Sequence, residues 1–359
     1  MSGEARETRE TGGALPDTVI LRVKRLRKYF DADGDDPVRA VDNVSFDLHR
    51  CETLSLVGES GCGKTTAARA IIRAHAPTSG EIWFRTGAGE VVDLAGLTAR
   101  ELRPLRAEMQ MIFQDPYSSL NPRMTVRDIV AEPLRIFGLT DRRALDKEVG
   151  GLLEAVGLQR SHMTRYPNAF SGGQRQRIGI ARALALKPRV IIADESVSAL
   201  DVSVQAQILN LLVGLQQRHE LSYLFVAHDL SVVRHISHRV AVMYVGRIVE
   251  LASCDDLFER PRHPYTAALL AAAPQPEPDR SRGFAPPPGE PPSPRNPPGG
   301  CHFHPRCPHA VARCRTDPPS WRQLDTGRFV RCHLAEELSL AGVGANREGV
   351  PTQEQGRHG

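Results

Sequence analysis

The nine residues Gly58-Glu59-Ser60-Gly61-Cys62-Gly63-Lys64-Thr65-Thr66 restrict the fold more than any other stretch of the chain. Glycines stand at both ends of a four-residue gap, and Lys and Thr follow. The strand-like run Thr53-Leu54-Ser55-Leu56-Val57 precedes the loop, and the helix-like run Ala67-Ala68-Arg69-Ala70-Ile71-Ile72 follows it. Such a loop turns successive backbone N–H groups toward one point without a Cβ clash, and a helix N-terminus adds its own donors. Phosphate is the group this arrangement suits. Lys64 can reach the β- and γ-phosphates of a nucleotide such as ATP, and the Thr65 hydroxyl can ligate Mg²⁺. The alternative is a Gly-rich turn between strand and helix. All fixed positions are filled and both flanks agree, so nucleotide binding is the expectation.

Composition narrows the class. The 359 residues are 41% hydrophobic, enough for a sizeable core and for more than one unit. The net charge of +4 is mild and does not point to nucleic acid. No apolar run approaches the roughly 18 residues of a spanning helix, and Met1 to Asp17 lack the apolar core of a signal peptide. A cytoplasmic location is expected. Seven cysteines there are not expected to form a structural disulfide set.

The organisation reads as a layered α/β fold. Residues 1–17 are expected to be disordered. Residues 19–57 alternate as strands do, with a Gly/Asp-rich turn at Asp31–Pro37. Glu81-Ile82-Trp83-Phe84 and Met109–Phe113 also read as strands. Apolar spacing becomes helical over Thr125–Val130 and Glu148–Val156. Val190-Ile191-Ile192-Ala193 and Tyr223–Ala227 are continuous apolar runs, the mark of parallel strands buried on both faces. A helical stretch, Val204–Gln217, lies between them. Residues 274–298 are Pro-rich and read as a stiff linker or strap, and a polar tail begins near Ala341.

The strand ends carry the remaining chemistry. Asp194 and Glu195 close the run from Arg189, where a parallel sheet presents its crevice. Asp194 would hold Mg²⁺ through water, and Glu195 would orient and polarise the attacking water. His228 follows the next buried strand and is a candidate γ-phosphate sensor; a strand-end histidine bonded to backbone is the alternative. Gln114, at the end of another strand, can reach the metal or the water; an ordinary turn residue is the alternative. Ser171-Gly172-Gly173-Gln174 at a helix start forms a second nest of N–H donors.

Together these motifs resemble the ATP-binding-cassette family over about residues 19–255. The phosphate loop, Gln114, the Ser171–Gln174 signature, Asp194-Glu195, the Ser198-Ala199-Leu200-Asp201 loop and His228 occur in the family order. Phe30 stands where the family places its adenine-stacking aromatic. The resemblance implies a P-loop NTPase cassette over residues 18–255. A parallel-sheet core would carry an antiparallel β subdomain and a helical signature subdomain at about 115–180. It also implies two cassettes packed head to tail, each ATP lying between the phosphate loop of one and the signature of the other.

Two longer stretches, Ile112–Val126 and Phe170–Leu184, are similar to the oligopeptide/dipeptide import ATPases, as are Arg262-His263-Pro264-Tyr265-Thr266 and the Cys-rich C-terminal segment. The resemblance implies an ATPase at the cytoplasmic face of the membrane, paired with itself or with a second cassette ATPase. Two multi-span permeases and an extracytoplasmic solute-binding protein would complete the assembly, and this chain would be the second ATPase of the pair. Three positions depart from the pattern. Ser196 replaces the proline usual after the catalytic Glu and is expected to loosen Glu195. Cys51 stands where Gly is usual. Cys62 lies inside the phosphate loop and is a candidate oxidation site.

Cys301, Cys307, Cys314 and Cys332 follow C-x5-C-x6-C-x17-C spacing, with His302, His304, His309 and His333 among them. Thiolates suit Zn²⁺ or an iron–sulfur cluster, but close C-x2-C pairs of a zinc ribbon are missing. Resemblance to the peptide importers implies a 4Fe–4S cluster in a small C-terminal domain at 256–340; zinc and four metal-free thiols are the alternatives. Two other functions compete with peptide import: uptake of nickel or another small solute, and a soluble cassette ATPase acting on nucleic acid or ribosomes.

Overall fold

The computed structural model describes residues 15–31, 36–115, 119–272 and 289–343. In chain order the elements are β1 (Val19–Phe30), β2 (Val38–His49), β3 (Thr53–Val57), α1 (Lys64–Ile71), β4 (Ser79–Arg85), β5 (Val91–Asp93), α2 (Ala99–Leu105) and β6 (Met109–Ile112). Three helices follow: α3 (Val126–Ile136), α4 (Arg142–Ala155) and α5 (Gly172–Leu184). The chain then runs through β7 (Val190–Asp194), α6 (Val202–His219), β8 (Ser222–Val226), α7 (Leu230–Ile236), β9 (Arg239–Tyr244) and β10 (Arg247–Ser253). It ends with α8 (Cys254–Glu259), α9 (Pro264–Ala272), α10 (Ala312–Thr316), β11 (Arg322–Asp325) and β12 (Arg328–Val330).

Two sheets organise these elements. The first is antiparallel, in the order β2-β1-β4-β5. The second has eight strands, in the order β11-β12-β10-β9-β3-β8-β7-β6, and its pairs β9–β3, β3–β8, β8–β7 and β7–β6 are parallel. The sequence explains this parallel core. Every residue of β3, β7 and β8 is buried. Alternate side chains feed opposite faces: Ile191, Ala193, Tyr223 and Phe225 pack with the helical layer, while Val190, Ile192, Leu224 and Val226 pack toward the antiparallel sheet. A strand buried on both sides has no use for polar alternation.

Helices α3, α4 and α5 form a layer around Ile129, Val130, Val149, Leu153, Ile178 and Ala181, all buried. The α3 and α4 N-termini are capped by Thr125 and Asp141, which accept from the N–H groups of Asp128 and Ala144. Asp141 starts α4 seven residues before Glu148, where apolar spacing alone placed it.

Several expectations change. Residues β9, β10, β11 and β12 were not read as strands from sequence. The free-standing Cys-rich domain is not supported, because β12 pairs with β10 and extends the main sheet while Phe303 joins the central apolar core. Leu15, placed in a disordered N-terminus, is buried, and its carbonyl accepts from Arg85. Val343, placed in a polar tail, donates its N–H to Phe258 O at 2.7 Å. Part of the Asp31–Pro37 turn and the run Pro286-Pro287-Pro288 lie outside the described residues. Two of the later Pro-rich residues touch the antiparallel sheet: Arg39 donates its N–H to Pro294 O at 3.0 Å, and Arg295 pairs with Asp31 at 3.5 Å.

Candidate nucleotide site

The parallel register brings four strand ends to one level. Leu56 pairs with Val226, Val226 with Asp194, and Ala193 with Ile112. The phosphate loop, Gln114, Asp194-Glu195 and His228 all follow these ends, so one edge of the sheet collects residues scattered over more than 160 positions.

The loop itself is shaped by its glycines. Gly58, Gly61 and Gly63 have φ of 150°, 79° and 107°. A Cβ on Gly58 would lie 2.1 Å from Met243 O, and one on Gly63 would lie 2.0 Å from Ala40 O. Neither position admits a side chain. Lys64 is buried, and its Nζ donates to Gly58 O at 2.8 Å and Glu59 O at 2.9 Å. Ser60 and Gly61 are exposed at the loop tip. Gly63 caps α1 without a side-chain bond, and the first turn carries no acid. The N–H groups of Lys64, Thr65 and Thr66 thus open the helix toward an anion.

Thr65 and Asp194, 129 residues apart, meet directly: the Thr65 hydroxyl donates to Asp194 Oδ1 at 2.8 Å. Among the described residues Asp194 Oδ2 is buried without a hydrogen-bond partner, and Arg69 lies 3.9 Å from it. Burial pushes the Asp194 carboxyl above its ordinary range, against the opposing Thr65 bond and the Arg69 charge. An orphaned carboxylate oxygen beside a hydroxyl is a fitting donor set for Mg²⁺.

Gln114 Nε2 donates to Glu195 Oε2 at 2.7 Å, and His228 Nδ1 lies 3.6 Å from the same oxygen. Glu195 adopts a left-handed backbone with φ of 45°, uncommon for a non-glycine residue. Its N–H donates to Val226 O, and its own carbonyl accepts from both the N–H and the hydroxyl of Ser198. The Ser198–Asp201 loop is thereby anchored to the Glu195 backbone, with Ser198, Ala199 and Asp201 exposed and Leu200 half-buried. Ser196 is buried, and its hydroxyl has no hydrogen-bond partner among the described residues.

Phe30 ends β1 half-exposed, edge-on to His75 at 5.9 Å, with Lys28 Nζ 4.9 Å from its ring centre. The signature residues stand apart from this group. Ser171 caps α5 by accepting from the Gln174 N–H while the Gln174 side chain accepts from the Ser171 N–H. Ser171 is exposed and Gly172 half-buried. Gly173 is buried, where a Cβ would meet Val204 Cγ1 at 2.4 Å.

Two cysteine expectations change. Cys62 is buried, and burial pushes its thiol up despite the nearby Lys64, so it is not the reactive thiolate that an oxidation site requires. Cys51 has φ of 55°, which explains why glycine suits that turn. Cys301, Cys307, Cys314 and Cys332 line one cavity of about 20 Å³. Among the described residues, however, no three His, Cys, Asp or Glu side chains are grouped to hold a metal ion. The structure does not support the expected 4Fe–4S cluster or zinc site.

Sequence reasoning missed two side chains at the loop. Tyr265 accepts from the Glu59 N–H at 2.9 Å, and Arg306 pairs with the Glu59 carboxylate at 2.9 and 3.2 Å. The contacts span 206 and 247 residues, so no local pattern announces them.

Residues 41–198 match the ABC transporter family model, and residues 249–314 match the oligopeptide/dipeptide transporter C-terminal region. A probable peptide ABC transporter ATP-binding protein, y4tS of Sinorhizobium fredii, is 53% identical over 90% of this chain and 92% of its own. The oligopeptide transport ATP-binding protein AppF of Bacillus subtilis is 50% identical over 88% of this chain and 97% of its own. Among solved structures, the ATP-binding cassette MJ0796, described as a dimer in a post-hydrolysis state with ADP and Pi, aligns with a TM-score of 0.58. It is 29% identical and covers 66% of this chain and 99% of its own. The cbiO1 protein of Clostridium perfringens, part of the cbiONQ transporter complex, aligns with a TM-score of 0.59 at 25% identity over 67% of this chain and 91% of its own.

Proposed function

Because this chain belongs to the ATP-binding proteins of peptide ABC transporters, we propose that it hydrolyses ATP to drive import of oligopeptides or dipeptides. The carrying observation is the convergence of Lys64, Thr65, Gln114, Asp194, Glu195 and His228 at one sheet edge. Thr65, Asp194 and Gln114 would hold Mg²⁺, which supplies charge neutralisation at the phosphates. Lys64 and the N–H groups of Gly61 to Thr66 bind the triphosphate, and Phe30 stacks on the adenine. Glu195 orients the attacking water and takes its proton, a contribution of about 10²–10⁴ in rate. Gln114 holds the Glu195 carboxylate, and His228 faces the γ-phosphate side.

The Ser171–Gln174 nest, exposed at Ser171, is turned to a second cassette. That reading rests on the signature being well formed and capped by its own Ser171 and Gln174 bonds. The partner cassette is a second copy or a sibling ATPase. The permeases would dock at a cleft of about 430 Å³ beside β6, lined by Arg69, Met111, Phe113, Pro133 and Arg182. Phe113 is 42% exposed there, with Arg182 stacked over it at 5.8 Å. Among the described residues no helix is long and apolar enough to cross a membrane. The permeases would supply the path, fed by the solute-binding protein, with this chain peripheral at the cytoplasmic face.

Peptide selectivity follows the relatives and the C-terminal region; nickel or another small solute is the alternative cargo. The four thiols lining one cavity are the remaining ground for a 4Fe–4S cluster, or for zinc. Iron and acid-labile sulfide in anaerobically prepared protein test it, and absence of both with no zinc leaves plain thiols. Extraction of the tagged chain from its own membranes tests the main reading. Co-purifying multi-span permeases and a cassette ATPase are the expected result; recovery with nucleic acid or ribosomes would overturn it.

A further inference from the structure

The peptide unit joining Gly58 to Glu59 is held at both ends. Its carbonyl accepts from Lys64 Nζ at 2.8 Å, and its N–H donates to the Tyr265 hydroxyl at 2.9 Å. The Glu59 side chain is gripped separately by the Arg306 guanidinium, in a two-bond fork at 2.9 and 3.2 Å. Both gripping residues come from beyond β10. Tyr265 opens α9, and Arg306 ends a short turn (His304–Arg306) bracketed by Cys301 and Cys307. Both are buried, and neither grip is a loose surface contact.

The support behind them is continuous. Tyr265 packs on Tyr244 and Phe303 with ring centres 4.5 and 5.4 Å apart. Its N–H donates to His263 Nδ1 at 3.1 Å. The N–H groups of Arg262 and His263 donate to the Glu250 carboxylate at 2.8 and 2.9 Å, and Arg328 of β12 donates to that carboxylate at 3.1 Å. Glu250 is fully buried. A buried network that engages both Glu250 carboxylate oxygens fixes geometry.

Lys64 Nζ carries three N–H donors, and two of them are spent on the Gly58 and Glu59 carbonyls. Any of these that turns to the phosphates leaves less of the ammonium to hold this peptide. The geometry points to Tyr265 and Arg306 as positioning residues of the ATP site, which hold the start of the phosphate loop in place once Lys64 has turned to the phosphates. The C-terminal region is on this account part of the nucleotide site. Preorganised backbone dipoles are effective because they need no rearrangement when charge arrives.

The test uses the full chain, with a fluorescent ATP analogue for Kd and steady-state hydrolysis for kcat and KM. Tyr265→Phe removes only the hydroxyl and keeps the ring packing. It should raise Kd and KM about three- to tenfold with kcat little changed, the scale of one hydrogen bond. Arg306→Gln should raise them about tenfold or more, with partial recovery in Arg306→Lys, which keeps the charge without the fork. Because Glu59 and Arg306 act as one unit, Glu59→Gln combined with Arg306→Gln should cost no more than Arg306→Gln alone. Lowered thermal stability with unchanged Kd in the Phe and Lys variants would overturn the proposal, as would additive losses in the double variant. Lys64→Ala is the separate control: nucleotide binding retained there would count against the phosphate loop itself, not against its support.

Discussion

Gln114 and Glu195, 81 residues apart, share a hydrogen bond of 2.7 Å from the Gln amide to the Glu carboxylate. Glu195 sits at the end of a buried strand in a left-handed backbone conformation. Such a conformation costs about 1–3 kcal/mol and persists when its surroundings fix it. The Ser198 bonds to its carbonyl and the Gln114 bond to its carboxylate do so.

Gln114→Ala should therefore lower kcat about tenfold, close to 1.4 kcal/mol of lost transition-state stabilisation, while ATP binding measured without Mg²⁺ stays nearly unchanged. Equilibrium binding of an ATP analogue beside steady-state turnover separates the two. A matched rise in Kd would instead place Gln114 in ground-state binding.

Glu195→Gln keeps the shape and removes the base. Its hydrolysis should drop by about 10²–10⁴ while ATP still binds. Sizing chromatography with ATP should then show a persistent dimer, because closure no longer ends in hydrolysis. Normal turnover would move the base elsewhere.

Asp194 gives the site a pH signature. Burial raises its folded pKa above the ordinary carboxylate value. Between the unfolded and folded values the native state holds the extra proton, so this group's contribution to stability falls as pH rises through that window. Mg²⁺ needs the carboxylate and acts in the opposite sense. The rise in Tm produced by Mg²⁺ and ATP should shrink as pH falls into the carboxylate range. Asp194→Asn keeps an acceptor for Thr65 and should abolish most of the Mg²⁺-dependent rise at neutral pH. Melting curves with and without Mg²⁺, from neutral pH downward, check both.

Legibility in the sequence follows locality. The phosphate loop, Ser171–Gln174 and the buried runs at Val190–Ala193 and Tyr223–Val226 are contiguous, and their chemistry is written in adjacent residues. The strand-end placement of Gln114 and His228 followed from the same runs. The hairpin β9–β10 was missed because Glu250 breaks the apolar run of β10, and its burial against Arg328 depends on packing with a residue 78 positions away. The β11–β12 addition consists of four- and three-residue strands, too short for a period to register. The Tyr265 and Arg306 grips depend on how distant segments pack. In the Cys-rich segment, spacing suggested a metal, but spacing does not dictate whether four thiols that share a cavity are also drawn together around an ion.

The signature offers a test that distinguishes one chain's site from its partner's. Ser171 caps α5 through the Gln174 N–H, and among the described residues its exposed side chain makes no hydrogen bond to its own phosphate loop. Ser171→Arg should cost about 1 kcal/mol of stability through the lost cap, yet leave ATP binding at the same chain's loop intact. In a mixed complex with a normal cassette, hydrolysis should fail at the site built from the partner's phosphate loop and this chain's altered signature. Pairing Ser171→Arg with a Lys64→Ala partner puts both lesions in one composite site and leaves the other whole, so about half of the activity should remain if the two sites act independently. Placing both changes on one chain spoils both composite sites, one through its loop and the other through its signature, and turnover should vanish. Equal losses in both arrangements would contradict a head-to-tail pairing of loop and signature.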